Sequence, residues 1–285
     1  MKKIILSILF TTSIFSYGAE IIAHRGDPSY APENSVEAVC AALRNGADFV
    51  EFDIWQTNAG ELISLHCESQ LKRLSGYYKK VEEITPQDRK TLNLASGKYA
   101  HLKTVRVPLL VEVLKALPKN PKIIFDAKNG RTPDYYKKVA QAYAEANVDA
   151  SNTLFYTHSP AEVKKYFPNS KCIRFLLPKQ NGDTFQQSNK YFATNTPKDK
   201  YILTPLNPKK FAQRAKKDGY YALGIMSLHV NPKSEAFRKL CAELKSEGLY
   251  LIVWTVNNAD EAKAYSEIVD AITTDDIKTI RESLK

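Results

Sequence analysis

The sequence has no apolar run approaching the roughly 18 residues that a bilayer crossing requires, so no membrane-spanning helix is expected. Cysteine is scarce. The four present, Cys40, Cys67, Cys172 and Cys241, form no Cys-x-x-Cys pair, which argues against a thiol-redox motif or a structural zinc site. In an oxidising compartment they would permit three full pairings among which sequence does not choose, and the simpler expectation is that most are small buried hydrophobes. Internal repeats, low-complexity tracts and a second-domain linker are also missing. The 41 Lys and Arg residues are scattered rather than gathered in one block, and without a block or a motif no nucleic-acid partner is expected.

What is present is ordinary globular composition, 44% hydrophobic and 25% charged over 285 residues, enough for one large core. Met1 to Ala19 has the order of a secretory leader: Lys2 and Lys3, an apolar run from Ile4 to Phe15, and the small-residue exit Ser16-Tyr17-Gly18-Ala19. A soluble, exported protein, periplasmic or secreted, is therefore expected, with a single domain over residues 20–285. Its formal charge of +10 would fall to +8 with the loss of the two leader lysines. That excess suits a lysine-rich surface, favours phosphate-bearing substrates weakly, and leaves peripheral contact with an anionic membrane open. No protein partner is implied.

The densest chemistry lies in residues 49–66. In a strand from Phe49 to Ile54, Glu51 and Asp53 share a face while Val50, Phe52 and Ile54 offer apolar cover on the other. Thr57-Asn58-Ala59-Gly60 turns the chain back, and the return run Leu62 to His66 ends level with Asp53. Two adjacent carboxylates repel unless a cation lies between them, and hard oxygen ligands suit Mg²⁺ or Ca²⁺.

Around this stretch, strand candidates begin near residues 20, 48, 121, 152, 171, 220, 249 and 269, alternating with helical patterns such as 133–147, 208–218 and 233–247. Asn34 or Ser35 is suited to cap the first helix, which Asn45-Gly46 ends. Eight strands in alternation with helices predict an α/β fold, a closed (β/α)8 TIM barrel, whose chemistry sits at the C-terminal strand ends. Residues 67–107 interrupt the rhythm as a small insertion after the second barrel strand. Residues 178–204 are a long polar loop, either a cover for the substrate or a surface excursion. In this arrangement His24 and Arg25 end the first strand, Glu51 and Asp53 the second, and Asp126 and Lys128 the third, with His66 alongside. Trp254 either packs substrate at the rim or, as a mid-strand aromatic, fills the core. Glu33 is a secondary candidate, His158 a weaker one, and His101 and His229 are expected to be structural.

These residues carry a resemblance to the glycerophosphodiester phosphodiesterase family. It rests on His24-Arg25-Gly26, Pro32-Glu33-Asn34-Ser35, Gly46-Ala47-Asp48 leading into Glu51-x-Asp53, and Gly60 to His66. It continues in Leu71-Lys72-Arg73, Ile84-Thr85, Val107-Pro108-Leu109 before Glu112-Val113-Leu114, Trp254-Thr255-Val256-Asn257 and Val269 to Asp275. What the resemblance implies is a hydrolase that splits glycerophosphodiesters, or lysolipids, into glycerol phosphate and an alcohol with one divalent cation, Mg or Ca. It implies His24 and His66 as an acid/base pair, Glu51, Asp53 and Asp126 around the cation, and Arg25 and Lys128 on the phosphate. Two positions depart from the family pattern. Cys67 stands where an aspartate usually follows the second histidine, and Asp126 stands where glutamate is common. Asp126-x-Lys128 is also similar to the sphingomyelinase D and phospholipase D toxins on the same barrel, which makes a lipid phosphodiesterase the alternative. Cys67 alone motivates a further one, an exported barrel that binds phosphodiesters with weak activity.

Overall fold

The computed structural model describes residues 18–130, 132, 134–176 and 207–285. The polar loop expected over 178–204 and all but the end of the leader lie outside these residues. The chain order is β1 (Glu20–Ala23), α1 (Val36–Arg44), β2 (Phe49–Gln56), β3 (Leu62–Ser64), α2 (Glu68–Ser75), α3 (Pro86–Thr91), α4 (Leu110–Lys115) and β4 (Ile123–Ala127). It continues with α5 (Tyr135–Ala146), β5 (Thr153–Tyr156), α6 (Pro160–Tyr166), β6 (Lys171–Leu176), α7 (Pro208–Lys217), β7 (Tyr220–Met226), α8 (Glu235–Ser246), β8 (Tyr250–Trp254), α9 (Ala259–Ser266), β9 (Ala271–Thr274) and α10 (Ile277–Ser283).

Parallel pairing runs from β2 through β4, β5, β6, β7, β8 and β9 to β1, and β1 pairs back onto β2, so the eight parallel strands close into a barrel. Among the described strands only β3 runs antiparallel, against the outer end of β2 through Ile54–Ser64, Trp55–Ile63 and Gln56–Leu62. Alternation in the strands makes two cores. Outward-facing Val50, Phe52, Ile54, Phe125, Phe155, Leu223 and Val253 pack under the helices, while Ile22, Phe49, Ile124, Leu154, Ile173, Ile252 and Ala271 fill the lumen. Both sets are buried as a period of two requires.

The lumen-facing series also fixes where polar groups surface. Two residues beyond Ile22 comes His24; beyond Phe49 come Glu51 and Asp53; beyond Ile124 come Asp126 and Lys128; beyond Ile252 comes Trp254. In these four strands an apolar lumen-facing residue is followed by candidate site residues toward the C-terminal end. Trp254 is the last residue of β8, so it stands at the rim and not in mid-strand.

The insertion is more ordered than its polar composition suggests. Glu68 opens α2, Lys72 and Arg73 close it, and Gly76 ends it in the left-handed region at φ 72°, charges and cap that suit the helix dipole. Its Leu71 and Leu74 join Leu65, Val81, Ile84, Leu94, Val105 and Val107 in a satellite core beneath β3, while α3, whose Thr85–Asp88 capping box follows the expected Thr85-Pro86 start, stays at the surface. The first helix start also differs in detail from expectation. Ser35 is the cap, accepting from Ala38 N–H, whereas Asn34 sits at φ 65° and turns its side chain into the barrel.

That turn depends on Gly26. Its φ is +84°, and a Cβ there would lie 2.6 Å from the Ala38 carbonyl carbon and 2.8 Å from Val39 N. Backbone, not a yielding side chain, blocks the space. Gly26→Ala is therefore expected to destabilise the protein by on the order of 2 kcal/mol or more, read as a drop in denaturant midpoint. A midpoint equal to that of the parent would show that α1 is not seated against this turn as described.

Candidate active site

Three carboxylates meet at the rim. Glu51, Asp53 and Asp126 each offer an oxygen within 4.8 Å of the others, and all are buried or nearly so. Register explains the meeting, since Asp53 pairs directly with Asp126 across β2 and β4. Two cations answer them. Lys128 Nζ is 2.7 Å from Asp53 Oδ1 and 2.6 Å from Asp126 Oδ2, and Arg25 Nε is 3.3 Å from Asp53 Oδ2.

The charges are unequally satisfied. Burial pushes the Asp53 carboxyl up, but Lys128 and Arg25 overcome this and hold it below the usual carboxylate range. Lys128 is the converse case: burial disfavours its charge, and Asp53 and Asp126 raise its pKa above the ordinary value. Burial and then the charge of Asp53 leave Asp126 raised despite Lys128. Glu51 is in the poorest position. Its Oε2 accepts a hydrogen bond from Arg25 N–H at 2.7 Å, yet burial, Asp53 and Asp126 push its pKa well up. Three carboxylates against two fixed cations leave room for a further positive charge, and the all-oxygen donor set fits a hard divalent ion.

The histidines flank this cluster and both line its pocket, together with Arg25, Lys128, Tyr156, Phe175, Trp254 and Thr273. His24 Nδ1 is 2.7 Å from Asp275 Oδ1, and Asp275 Oδ2 accepts from Asn257 Nδ2 at 2.7 Å. His66 is pinned through its backbone, donating to Gln70 Oε1 and accepting from Trp55 Nε1. Its ring pKa is lowered to about 4, chiefly by burial, with Lys128 and Arg25 adding to the effect and Asp53 opposing it. Opposite the charged side, Phe175 stacks on Tyr156 at 4.4 Å between ring centroids and meets Trp254 edge-on at 5.7 Å. The buried Trp254 Nε1 has no hydrogen-bond partner among the described residues.

Every residue singled out for the site in the sequence thus lines one pocket: His24, His66, Arg25, Lys128, Trp254, Glu51, Asp53 and Asp126. Glu33 lies behind it, bridging Arg25 at 2.9 Å and Arg73 at 2.7 Å. His158 lines a neighbouring cleft, His101 is exposed on the insertion, and His229 is buried. All four cysteines are free, with Cys172 and Cys241 buried. Residues not anticipated as site members are Asn34, Gln70, Tyr156, Phe175, Asn257 and Asp275. Asn34 grips Asp53 twice, donating from Nδ2 to Oδ2 at 2.8 Å and accepting from Asp53 N–H at 2.9 Å. Its signal was the polar residue before the Ser35 cap; the other partners come from distant strands or from α2.

With this geometry in view, the sequence profile of the glycerophosphoryl diester phosphodiesterase family matches residues 24–279. The chain belongs to that family. A glycerophosphodiester phosphodiesterase of Caldanaerobacter subterraneus subsp. tengcongensis is 26% identical over 266 residues, covering 91% of this chain and 95% of the relative. One from Bacillus subtilis is 32% identical over 179 residues, covering 56% and 60% of the two chains. Among solved structures, a phosphodiesterase of Oleispira antarctica in complex with the product sn-glycerol-3-phosphate has a TM-score of 0.71 at 16% identity, covering 94% of this chain and 98% of its own. The Thermotoga maritima glycerophosphodiester phosphodiesterase follows at 0.65 and 18%, covering 93% and 97%. These two establish the shared barrel. The family assignment makes this protein a phosphoric diester hydrolase, a glycerophosphodiester phosphodiesterase.

The strained Glu51 gives a direct test of a cation in this phosphodiesterase. A carboxyl with a raised native pKa contributes fully to stability below its ordinary pKa, 4.5 here, and loses that contribution as pH rises through the native value. The metal-free protein at pH 8 therefore carries a penalty that glutamine would not. Glu51→Gln is expected to melt at or above the metal-free parent at pH 8, yet to gain little from Mg²⁺ or Ca²⁺. The parent should gain about 2.7 kcal/mol at a hundred times the ion's Kd. Scanning calorimetry with and without chelator decides it, and an undiminished metal shift in Glu51→Gln would remove this residue from the ligand set.

Proposed function

We propose that the protein hydrolyses glycerophosphodiesters to glycerol phosphate and an alcohol in a reaction that needs one divalent cation, with His24 and His66 dividing the proton work. The observation that carries this reading is the pocket itself, two histidines and two fixed cations around three carboxylates, one of which, Glu51, makes no ion pair among the described residues. Glu51, Asp53 and Asp126 would hold the ion, Mg²⁺ or Ca²⁺, which when bound supplies Lewis-acid polarisation of a phosphoryl oxygen.

The remaining steps belong to the side chains. Lys128 and Arg25 hold the non-bridging oxygens and stabilise the charge that develops on them. His66, kept neutral by a pKa near 4, takes a proton from the water that attacks phosphorus. His24, its ring held through Nδ1 by the Asp275 carboxylate, returns a proton to the leaving alkoxide. Trp254 Nε1 donates to a substrate oxygen, and the faces of Phe175 and Tyr156 receive the apolar side of the substrate. A glycerophosphodiester rather than an intact lipid is favoured by the relatives that match along their length and by glycerol-3-phosphate in the Oleispira antarctica enzyme.

The test is choline release from glycerophosphocholine by the mature chain, with lysophosphatidylcholine and sphingomyelin in parallel. His24→Ala and His66→Ala should each lower kcat by at least about a hundredfold, with KM changed much less. Near-normal kcat in either variant would reassign that histidine to structure, and release from sphingomyelin alone would favour the lipid enzyme. Export belongs to the same reading. The leader through Ala19 should be missing from the intact mass of the periplasmic or secreted protein, and a soluble product retaining Met1 would count against it.

A further inference from the structure

We propose that Cys67 is the positioning residue of His66: its sulfur accepts the Nδ1–H of the imidazole and so presents the Nε2 lone pair to the pocket. The inference rests on the reading of His66 as the base. A neutral imidazole carries one N–H, and the partner of one nitrogen decides which role is left to the other. Cys67 Sγ lies 3.0 Å from His66 Nδ1 and 2.9 Å from Ser69 Oγ. Among the described residues no other side chain hydrogen-bonds the ring.

The surroundings direct the sulfur to this task. Cys67 precedes α2 in extended conformation, φ −168° and ψ 174°, but its side chain caps no backbone N–H of the helix. The thiol is turned instead toward the imidazole on one side and the Ser69 hydroxyl on the other. With its own proton given to Ser69 Oγ, the sulfur offers lone pairs to Nδ1. Gln70 and Trp55 fix the His66 backbone through its N–H and C=O, so the ring torsion is what remains to be held. His24 has the same arrangement with a different partner, the Asp275 carboxylate at 2.7 Å. A carboxylate brings a negative charge that favours imidazolium; a thiol orients the ring and sets the tautomer without adding charge. The two histidines are thereby held alike, His24 by a charged partner and His66 by a neutral one.

The experiment compares the parent, Cys67→Ala and Cys67→Ser as full mature chains, with histidine ring ¹⁵N spectra and steady-state kinetics on glycerophosphocholine. The parent spectrum should place His66 in the Nδ1–H tautomer, Cys67→Ala should average the two tautomers, and Cys67→Ser should restore the parent pattern. In step, kcat should fall about tenfold or more in Cys67→Ala, with KM within about twofold, and should recover in Cys67→Ser. An Nε2–H tautomer in the parent, or a Cys67→Ala protein with unchanged tautomer and unchanged kcat, overturns the proposal. The spectra need no turnover. Failure of the parent to hydrolyse the substrate would therefore refute the function while the tautomer still decided the part played by Cys67.

Discussion

The concentration of buried negative charge at the C-terminal rim is the constraint to which the rest of the site answers. Carboxylates taken out of water repel one another and lose hydration, a cost of several kcal/mol per ion unless cations and hydrogen bonds offset it. Lys128 is the principal answer, touching both Asp53 and Asp126, and Arg25 the second. Asn34 completes the grip on Asp53 from both sides of its residue, through the side chain and the backbone N–H. Among the described residues, Glu51 is the member whose carboxylate is held by an amide N–H alone. A site whose own charges stop one short of balance is prepared for a mobile cation and for an anionic substrate held against fixed ones.

The insertion supplies supports that stand behind the site. Gln70, on α2, ties the end of the return run to the turn before α1: it accepts from His66 N–H, donates to the Glu33 carbonyl, and lies within reach of Asn34 Nδ2. Arg73, from the same helix, holds Glu33, which in turn holds Arg25. The satellite core below β3 gives these polar contacts a rigid base. Preorganisation of this kind keeps His66 and Arg25 in place before any substrate arrives, which is where electrostatic catalysis gains most.

Much of this was legible in the chain because strand alternation is a strict code. Once Ile22, Phe49 and Ile124 are assigned to the lumen, His24, Glu51, Asp53, Asp126 and Lys128 must surface together, and closure of the barrel does the rest. Trp254 required only the true end of β8 to be placed at the rim. The supporting partners were less visible for a physical reason. Asp275 reaches His24 across 251 residues, joined by the β1–β9 pairing that closes the barrel, and although it ends the Val269 to Asp275 run, nothing local points to a histidine partner. Asn34 resembled a helix cap because asparagine is a good one; its positive φ and its bond to Asp53 belong to the packed turn around Gly26. Helix α2 was hidden by the polarity of its exposed face, although Leu71, Leu74 and Gly76 carried its pattern.

The central claim, that the rim carboxylates hold a divalent ion, is tested most directly by anomalous diffraction from crystals of the protein grown with Mn²⁺ or Ca²⁺. The account predicts one strong peak bonded to oxygens of Glu51, Asp53 and Asp126 at about 2.1–2.6 Å, lost when chelator is added. No peak among these three residues, in crystals whose dissolved protein hydrolyses glycerophosphocholine fully in chelator, would contradict it.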